Sequence, residues 1–232
     1  MAGVLAVGAL ACGVLSLSPA PGRAVANTPT TKAVSIRMPV PESLSTLESS
    51  AEDIVDYALA ADRPTAIVEG AKLKAAATGP AATALTKAGV PAQQVVQLKL
   101  RASRVVQLAR NGPFIEIALA ANAVSQLLAD FYGRFQDRVP AQVLALDYDD
   151  REAQLRSLAH QPAKVTIAVQ LLEKTWRALR QRVVGAGGVK EAAAFDRHVA
   201  AMKRLRPNAG KPLQAEAVRG LELVDALEQV FD

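Results

Sequence analysis

Residues 113–137 read PFIEIALAANAVSQLLADFYGRFQD. Ile117, Ala120, Ala121, Val124, Leu128, Phe131 and Phe135 recur at intervals of three and four. That spacing places them on one face of an α-helix, whereas a strand would alternate with a period of two. The charges are confined to Glu116 near the start and to Asp130, Arg134 and Asp137 near the end. Pro113 suits a first helical position, which needs no N–H donor, and Asn111-Gly112 closes whatever helix precedes it. The stretch is the most apolar of the folded part and is expected at the centre of an all-α bundle.

The same period continues on both sides. Towards the C-terminus it predicts helices over 140–160, 162–184, 189–206 and 212–231. They are separated by Val139-Pro140, Gln161-Pro162, Gly185-Ala186-Gly187-Gly188 and Pro207-Asn208-Ala209-Gly210. Towards the N-terminus, Val95, Leu98, Ala102, Val105 and Leu108 mark a helix over 91–110. Leu44, Leu47, Ala51, Ile54, Ala58 and Leu59 mark another over 43–61, with Ser45 and Glu48 at capping-box spacing. Residues 64–89 are rich in Ala and poor in large apolar side chains. They read as weaker helix with a break over 75–80 and a short helix at 80–88. No period-two run is present, and the breaks share no repeated consensus. The fold class expected is an antiparallel multi-helix bundle of about eight helices over 43–232. Within it, looser helices (43–112) would dock on a tighter C-terminal bundle (113–232), because short connections favour antiparallel neighbours.

Residues 1–26 read differently. Ala2 to Leu17 is a run of small and apolar residues, Ser18-Pro19-Ala20-Pro21-Gly22 breaks it, and Ala24-Val25-Ala26 offers small residues where a signal peptidase reads them. This predicts a signal peptide cleaved before Asn27, hence a periplasmic or secreted protein; left uncleaved, residues 2–19 would tether the chain to the membrane. Cys12 is the single cysteine and lies in this segment, so the mature chain has no disulfide, thiolate ligand or cysteine nucleophile. Residues 27–42, with prolines at 29, 39 and 41, read as a flexible linker.

The net charge of +5 falls to +4 without Arg23. Only 4% of residues are aromatic, which argues against base-stacking surfaces, and no nucleic-acid partner is expected. Between Gly70 and Ile115 lie seven basic residues and no acid, directly after an acid-rich segment from Glu42 to Glu69. The expectation is that the two segments pack side by side and neutralise each other; the alternative is a basic face for an anionic envelope component.

Candidate chemistry is sparse. Asp147-Tyr148-Asp149-Asp150-Arg151-Glu152 is the densest polar cluster. A calcium loop requires Gly and Glu at its sixth and twelfth positions, which here are Glu152 and Leu158. The cluster therefore reads as helix surface, with Asp147 and Asp150 as the residues of a divalent-cation alternative. Arg151 falls in the Leu144–Tyr148–Arg151–Leu155–Leu158 stripe, so it calls for a carboxylate partner, Asp147 or Asp130. His198 and Met202, one turn apart, are the other metal candidates, set against simple packing. His160 ends a helix, where a cation suits the dipole, and Trp176 reads as a core anchor. Gly185-x-Gly187-Gly188 lacks the strand before it and the Lys after it that a phosphate loop needs. With no cofactor motif and two histidines, the chain is expected to be no enzyme and to hold no cofactor. It reads as an exported interaction or binding module, with an envelope protein or anionic envelope component as partner, or as a periplasmic small-molecule or metal-ion binding protein.

Overall fold

A computed structural model describes residues 38–231; the expected signal peptide, the tether at 2–19 and the linker up to residue 37 lie outside the described residues. The described residues form nine helices: α1 (Glu42–Leu59), α2 (Arg63–Thr78), α3 (Pro80–Lys87), α4 (Ala92–Asn111), α5 (Phe114–Tyr132), α6 (Ala141–Leu158), α7 (Pro162–Gly185), α8 (Val189–Arg204) and α9 (Lys211–Gln229). Among these residues β-pairing is limited to one isolated bridge, Pro39 with Gln136. The described residues are all-α.

Each helix start follows from its residues. Proline occupies the first or second position of α2, α3, α7 and α9, and in α2 the Asp62 carboxylate also caps the Thr65 N–H at 3.2 Å. The expected capping box does not form. Helix α1 begins at Glu42 with Pro41 before it and no side-chain cap, so Ser45 and Glu48 lie inside the helix. A proline fixes the entry angle without a capping oxygen, which leaves Glu48 available to neighbouring helices.

Helix α5 is central, as its sequence indicates. Ile117, Ala121, Val124, Leu128 and Phe131 are all buried. It is the one described helix long and apolar enough, at a mean hydropathy of 1.4, to match a membrane span, yet half of it is buried within the protein. It stops at Tyr132, five residues before the expected end. The backbone turns through Gly133, with the N–H groups of Arg134 and Phe135 donating to Phe131 and Tyr132, and the Gln136 N–H then donates to the Met38 carbonyl at 2.7 Å. Phe135 is still buried, outside the helix. Arg134 is therefore beyond the last turn, too far round to pair with Asp130 across a helical i,i+4 step. Such i,i+4 pairs do form within α6 and α7, at Asp147–Arg151, Glu152–Arg156 and Glu173–Arg177, at 3.1, 2.6 and 2.8 Å.

Two hydrophobic clusters hold the bundle. One joins α1–α5 and takes Leu155 from α6; the other joins Val143, Leu146 and Ala153 of α6 to α7–α9. They meet at α6, which gives side chains to both. Fully buried side chains such as Leu47, Ile54, Leu128 and Leu146 each contribute about 1.5–3 kcal/mol. Trp176 is core, 4% exposed, with its indole N–H on Asp196 at 2.8 Å. Helix α6 contributes to both clusters and packs on α5, α7 and α9, so its polar residues face several neighbours at once.

Candidate functional site: an acidic cleft beside a sealed histidine

A helix turns about 100° per residue, so Asp147 and Asp150 lie about 60° apart on α6, Asp149 and Glu152 likewise, and the two pairs point to different flanks of the helix. Each meets a different partner. Asp147 takes Arg151 at 3.1 Å, and Asp149 accepts from the Thr175 hydroxyl on α7 at 3.0 Å. Asp150 lies against His198 on α8, and Glu152 accepts from Asn122 on α5 and from Arg156. Held by different partners, the four carboxylates do not converge on one ion. The density of the cluster in sequence reflects the number of neighbours of α6.

On one side of α6 the charges are sealed. Asp150 and His198 are fully buried; His198 Nε2 lies 2.9 and 3.1 Å from the two Asp150 oxygens, and Nδ1 lies 3.0 Å from Glu216 Oε1 on α9. Arg219 in turn reaches Glu216 at 3.4 Å. Burial opposes the charged imidazolium, but the two carboxylates outweigh it and hold the His198 pKa above its ordinary 6.5. Burial pushes Asp150 up to about 6 against the opposing pull of His198. Gly220 makes the close approach feasible: a Cβ there would stand 2.3 Å from Asp150 Oδ2 and 2.6 Å from His198 Nε2. Both imidazole nitrogens are engaged by carboxylates, leaving no lone pair for a metal.

A little further round the helix, through Leu144, Asp147 and Arg151, α6 faces a cleft of about 490 Å³ at the junction of the two hydrophobic clusters. Helix α1 lines it with Ser45, Glu48, Ser49 and Glu52, and α9 with Glu222, Asp225 and Glu228. The rest comes from Leu128 and Ser125 of α5, Leu144, Asp147 and Arg151 of α6, and apolar residues of α9. Six carboxylates thus surround one guanidinium. Arg151 Nη2 reaches Asp147 at 3.1 Å and Glu52 at 3.9 Å, while its Nε and Nη1 are buried without an acceptor among the described residues. Asp130, the alternative partner read from sequence, is not involved.

The cleft carboxylates record the imbalance. Glu52 is raised to about 7, first by burial and then by Asp147, with Arg151 opposing and Glu48 and Glu228 adding. Glu48 is raised by burial, although the Tyr132 hydroxyl donates to it and pulls the other way. Asp147 is raised by burial against the pull of Arg151. A cation entering the cleft would relieve all three.

Of the four metal candidates, Asp147 lines the cleft, Asp150 and His198 meet in the sealed cluster, and Met202 is buried beside a separate cavity of about 300 Å³ against α7. Among the described residues no group of three or more His, Cys, Asp or Glu side chains is arranged to hold a metal ion. His160 is exposed at the end of α6 in the left-handed conformation, with φ 55°. The acidic and basic segments do not neutralise each other as expected: among the described residues one ion pair, Lys72–Glu69 at 2.5 Å, joins them. Instead Glu48 and Glu52 of the acidic segment turn into the cleft.

Glu216, Gly220 and the walls of the cleft were not singled out from sequence. One signal was available: Glu48–Glu52 at i,i+4 and Glu222–Asp225–Glu228 at i,i+3 steps set like charges on single helix faces, an arrangement that costs helix stability. Comparison of the chain with protein-family models, with curated proteins and with solved structures gave no match.

Proposed function

We propose that the chain is an exported, non-enzymatic binding module that receives a small organic cation in the cleft between α1, α6 and α9. The observation that carries this reading is the charge of the lining, in which the five carboxylates Glu48, Glu52, Asp147, Glu222 and Asp225 face one arginine around about 490 Å³. That volume lies within the usual range for small-molecule sites, and the junction of two packed units is a common place for one. The carboxylates are dispersed over two walls and a floor, which suits an organic ligand with separated charges better than a metal ion needing six to eight oxygens at bonding distance. A non-catalytic role is supported by the chemistry of the lining, in which the imidazole of His198 takes no part. Export rests on the signal-like reading of residues 1–26, and the short connections support antiparallel neighbours. Docking of an envelope protein on a helix face has its own support in Val96 and Leu100, half exposed or more and one turn apart on α4.

The test is thermal unfolding of the mature protein at low ionic strength with alkylamines and, separately, alkylcarboxylates. A ligand that binds only the folded state raises the melting temperature by mass action. Amines are expected to raise it and carboxylates to leave it unchanged, with the amine effect abolished in Glu222→Gln/Asp225→Asn. Equal insensitivity to both series would defeat the reading.

A further inference from the structure

Of the seven basic side chains between Gly70 and Ile115, only Lys72 has a carboxylate within ion-pair distance among the described residues. Arg101 and Arg104 reach neutral acceptors, Gln126 and Gln107. Lys74, Lys87, Arg104 and Arg110 are exposed, and Lys99 is half-buried. Helix packing gathers these cations on one surface. Gly70 of α2 lies against α4, where a Cβ on it would stand 3.7 Å from Val106 Cγ2. Arg63 of α2 donates to the Ala109 and Gly112 carbonyls at the end of α4, both at 2.8 Å. Ile67 and Lys74 flank Gly70 on the outer side of this seam, and Lys99 and Arg110 flank Val106 across it. Val96 and Leu100 continue the same face of α4, with Arg104 at its far edge. Lys99 also joins Lys87 around a shallow hollow of about 410 Å³ that no acid lines. The hydroxyls of Thr78, Thr83 and Thr86 in that hollow donate to backbone carbonyls, so the hollow offers an anion charge without directed donors. Amid the cations stand large apolar side chains: Ile67, Val96 and Leu100 are 38, 50 and 57% exposed.

We propose that this face of α2–α4 docks on an anionic lipid surface. The bases meet the headgroup phosphates, and Ile67, Val96 and Leu100 enter the apolar boundary beneath them. The combination selects the partner. A soluble polyanion satisfies the cations and leaves the apolar side chains in water. An apolar protein surface covers those side chains and removes unpaired cations from water, which is costly. A lipid surface takes both kinds of group and asks for no directed hydrogen bond. The acidic cleft is built from α1, α5, α6 and α9, so this surface stands independently of the cation reading.

The experiment is co-sedimentation of the protein, as matured in its host, with vesicles of equal parts phosphatidylcholine and phosphatidylglycerol, and with soluble polyphosphate as the competing probe. Binding to the vesicles is expected at low ionic strength and should weaken as salt is raised. Each base near an anionic surface contributes a factor of about five, so Lys74→Gln/Arg110→Gln should weaken vesicle binding about twenty-fivefold. Lys190→Gln/Lys211→Gln removes two exposed bases of α8 and α9 and should leave it near the parental level. Leu100→Ser should weaken vesicle binding without changing the response to polyphosphate. All the variants keep the parental N-terminus, so a tether retained at residues 2–19 cancels in the comparison, and the substituted side chains are exposed, so the fold is preserved. No binding to the vesicles, or binding undiminished in Lys74→Gln/Arg110→Gln, would overturn the proposal. Capture by polyphosphate alone would overturn it in favour of a soluble polyanion.

Discussion

Asp147 and Asp150 are three residues apart on one helix, and each lies against a cation, yet their surroundings differ in kind. Asp150 belongs to a closed set in which two carboxylates, Asp150 and Glu216, meet Arg219 and His198, whose pKa they hold above its ordinary value. With the imidazole protonated the set is formally neutral, and its centre is fully buried. Asp147 belongs to an open set in which it and four further carboxylates, Glu48, Glu52, Glu222 and Asp225, face one arginine. Charges removed from water must be balanced within the protein, because the uncompensated cost amounts to several kcal/mol per ion. Charges left in a wet cleft can remain in excess and be balanced by whatever enters. The sealed side of α6 accordingly serves the fold, and the open side is free to serve binding.

The sharpest way to break this comparison is to remove the cation from each side. His198→Ala leaves Asp150 buried beside no positive charge and opens a cavity against Phe195, whose ring centre lies 5.2 Å from that of the imidazole. The expected loss is about 3–5 kcal/mol in urea unfolding. Arg151→Met keeps the side-chain volume and leaves Asp147, which is 18% exposed and therefore partly hydrated. The expected loss is smaller, about 2 kcal/mol. Equal losses would show that the two sides are not energetically distinct.

Titration separates the two sides further. Glu52 has a folded pKa of about 7 against an ordinary 4.5, so the folded state binds more protons across that window and stability falls as pH rises through it. Its favourable contribution is complete below pH 4.5 and lost above about 7. Glu52→Gln should therefore change little at pH 4 and stabilise the protein at pH 8. The gain should be about 1 kcal/mol, less than the shift alone implies, because the side chain is 40% exposed and screened by solvent. His198 has the same sign in a higher window. With its pKa raised above 6.5, its contribution is complete below that value and lost as pH rises through the folded pKa. The variant should therefore retain the decline of stability on the alkaline side. A Glu52→Gln stability curve parallel to that of the parent from pH 4 to 8 would contradict the open-cleft account.

How far the sequence discloses this arrangement depends on the range of each signal. The helices of the described region were legible because each is a local periodicity punctuated by Pro and Gly, and residues 113–132 show the pattern at full strength. The end of α5 was not legible, since the stripe continues through Phe135; after the turn at Gly133 the chain instead pairs Gln136 with Met38, almost a hundred residues away in sequence. The ion pair of Asp147 and Arg151 was legible at i,i+4. The histidine cluster was not, because Asp150, His198 and Glu216 are brought together by three helices packing, and because Gly220 matters for the side chain it lacks. The cleft was invisible for the same reason: Glu48, Glu52 and Asp225 are ordinary surface acids until α1 and α9 stand on either side of α6.

The smallest effect is the most selective. Like charges across an open cleft repel through water and are screened by salt, whereas hydrogen-bonded charges sealed in the core are screened far less. Raising ionic strength from about 0.01 M to 0.1 M shortens the screening length from about 30 Å to about 10 Å. The parent protein should then gain a few tenths of a kcal/mol in stability as the cleft carboxylates are relieved of one another, an effect on the scale of exposed charge pairs. Glu52→Gln, with one charge fewer in the cleft, should gain less. Asp150→Asn, destabilised outright, should keep the full salt increment of the parent, because the charge it lacks was never exposed to the ions. Chloride and sulfate at matched ionic strength should act alike if screening is the cause, and a gain that followed the identity of the anion would point instead to anion binding at Arg151. A salt increment lost in Asp150→Asn and retained in Glu52→Gln would place the excess charge on the wrong side of α6 and reverse the assignment of the two faces.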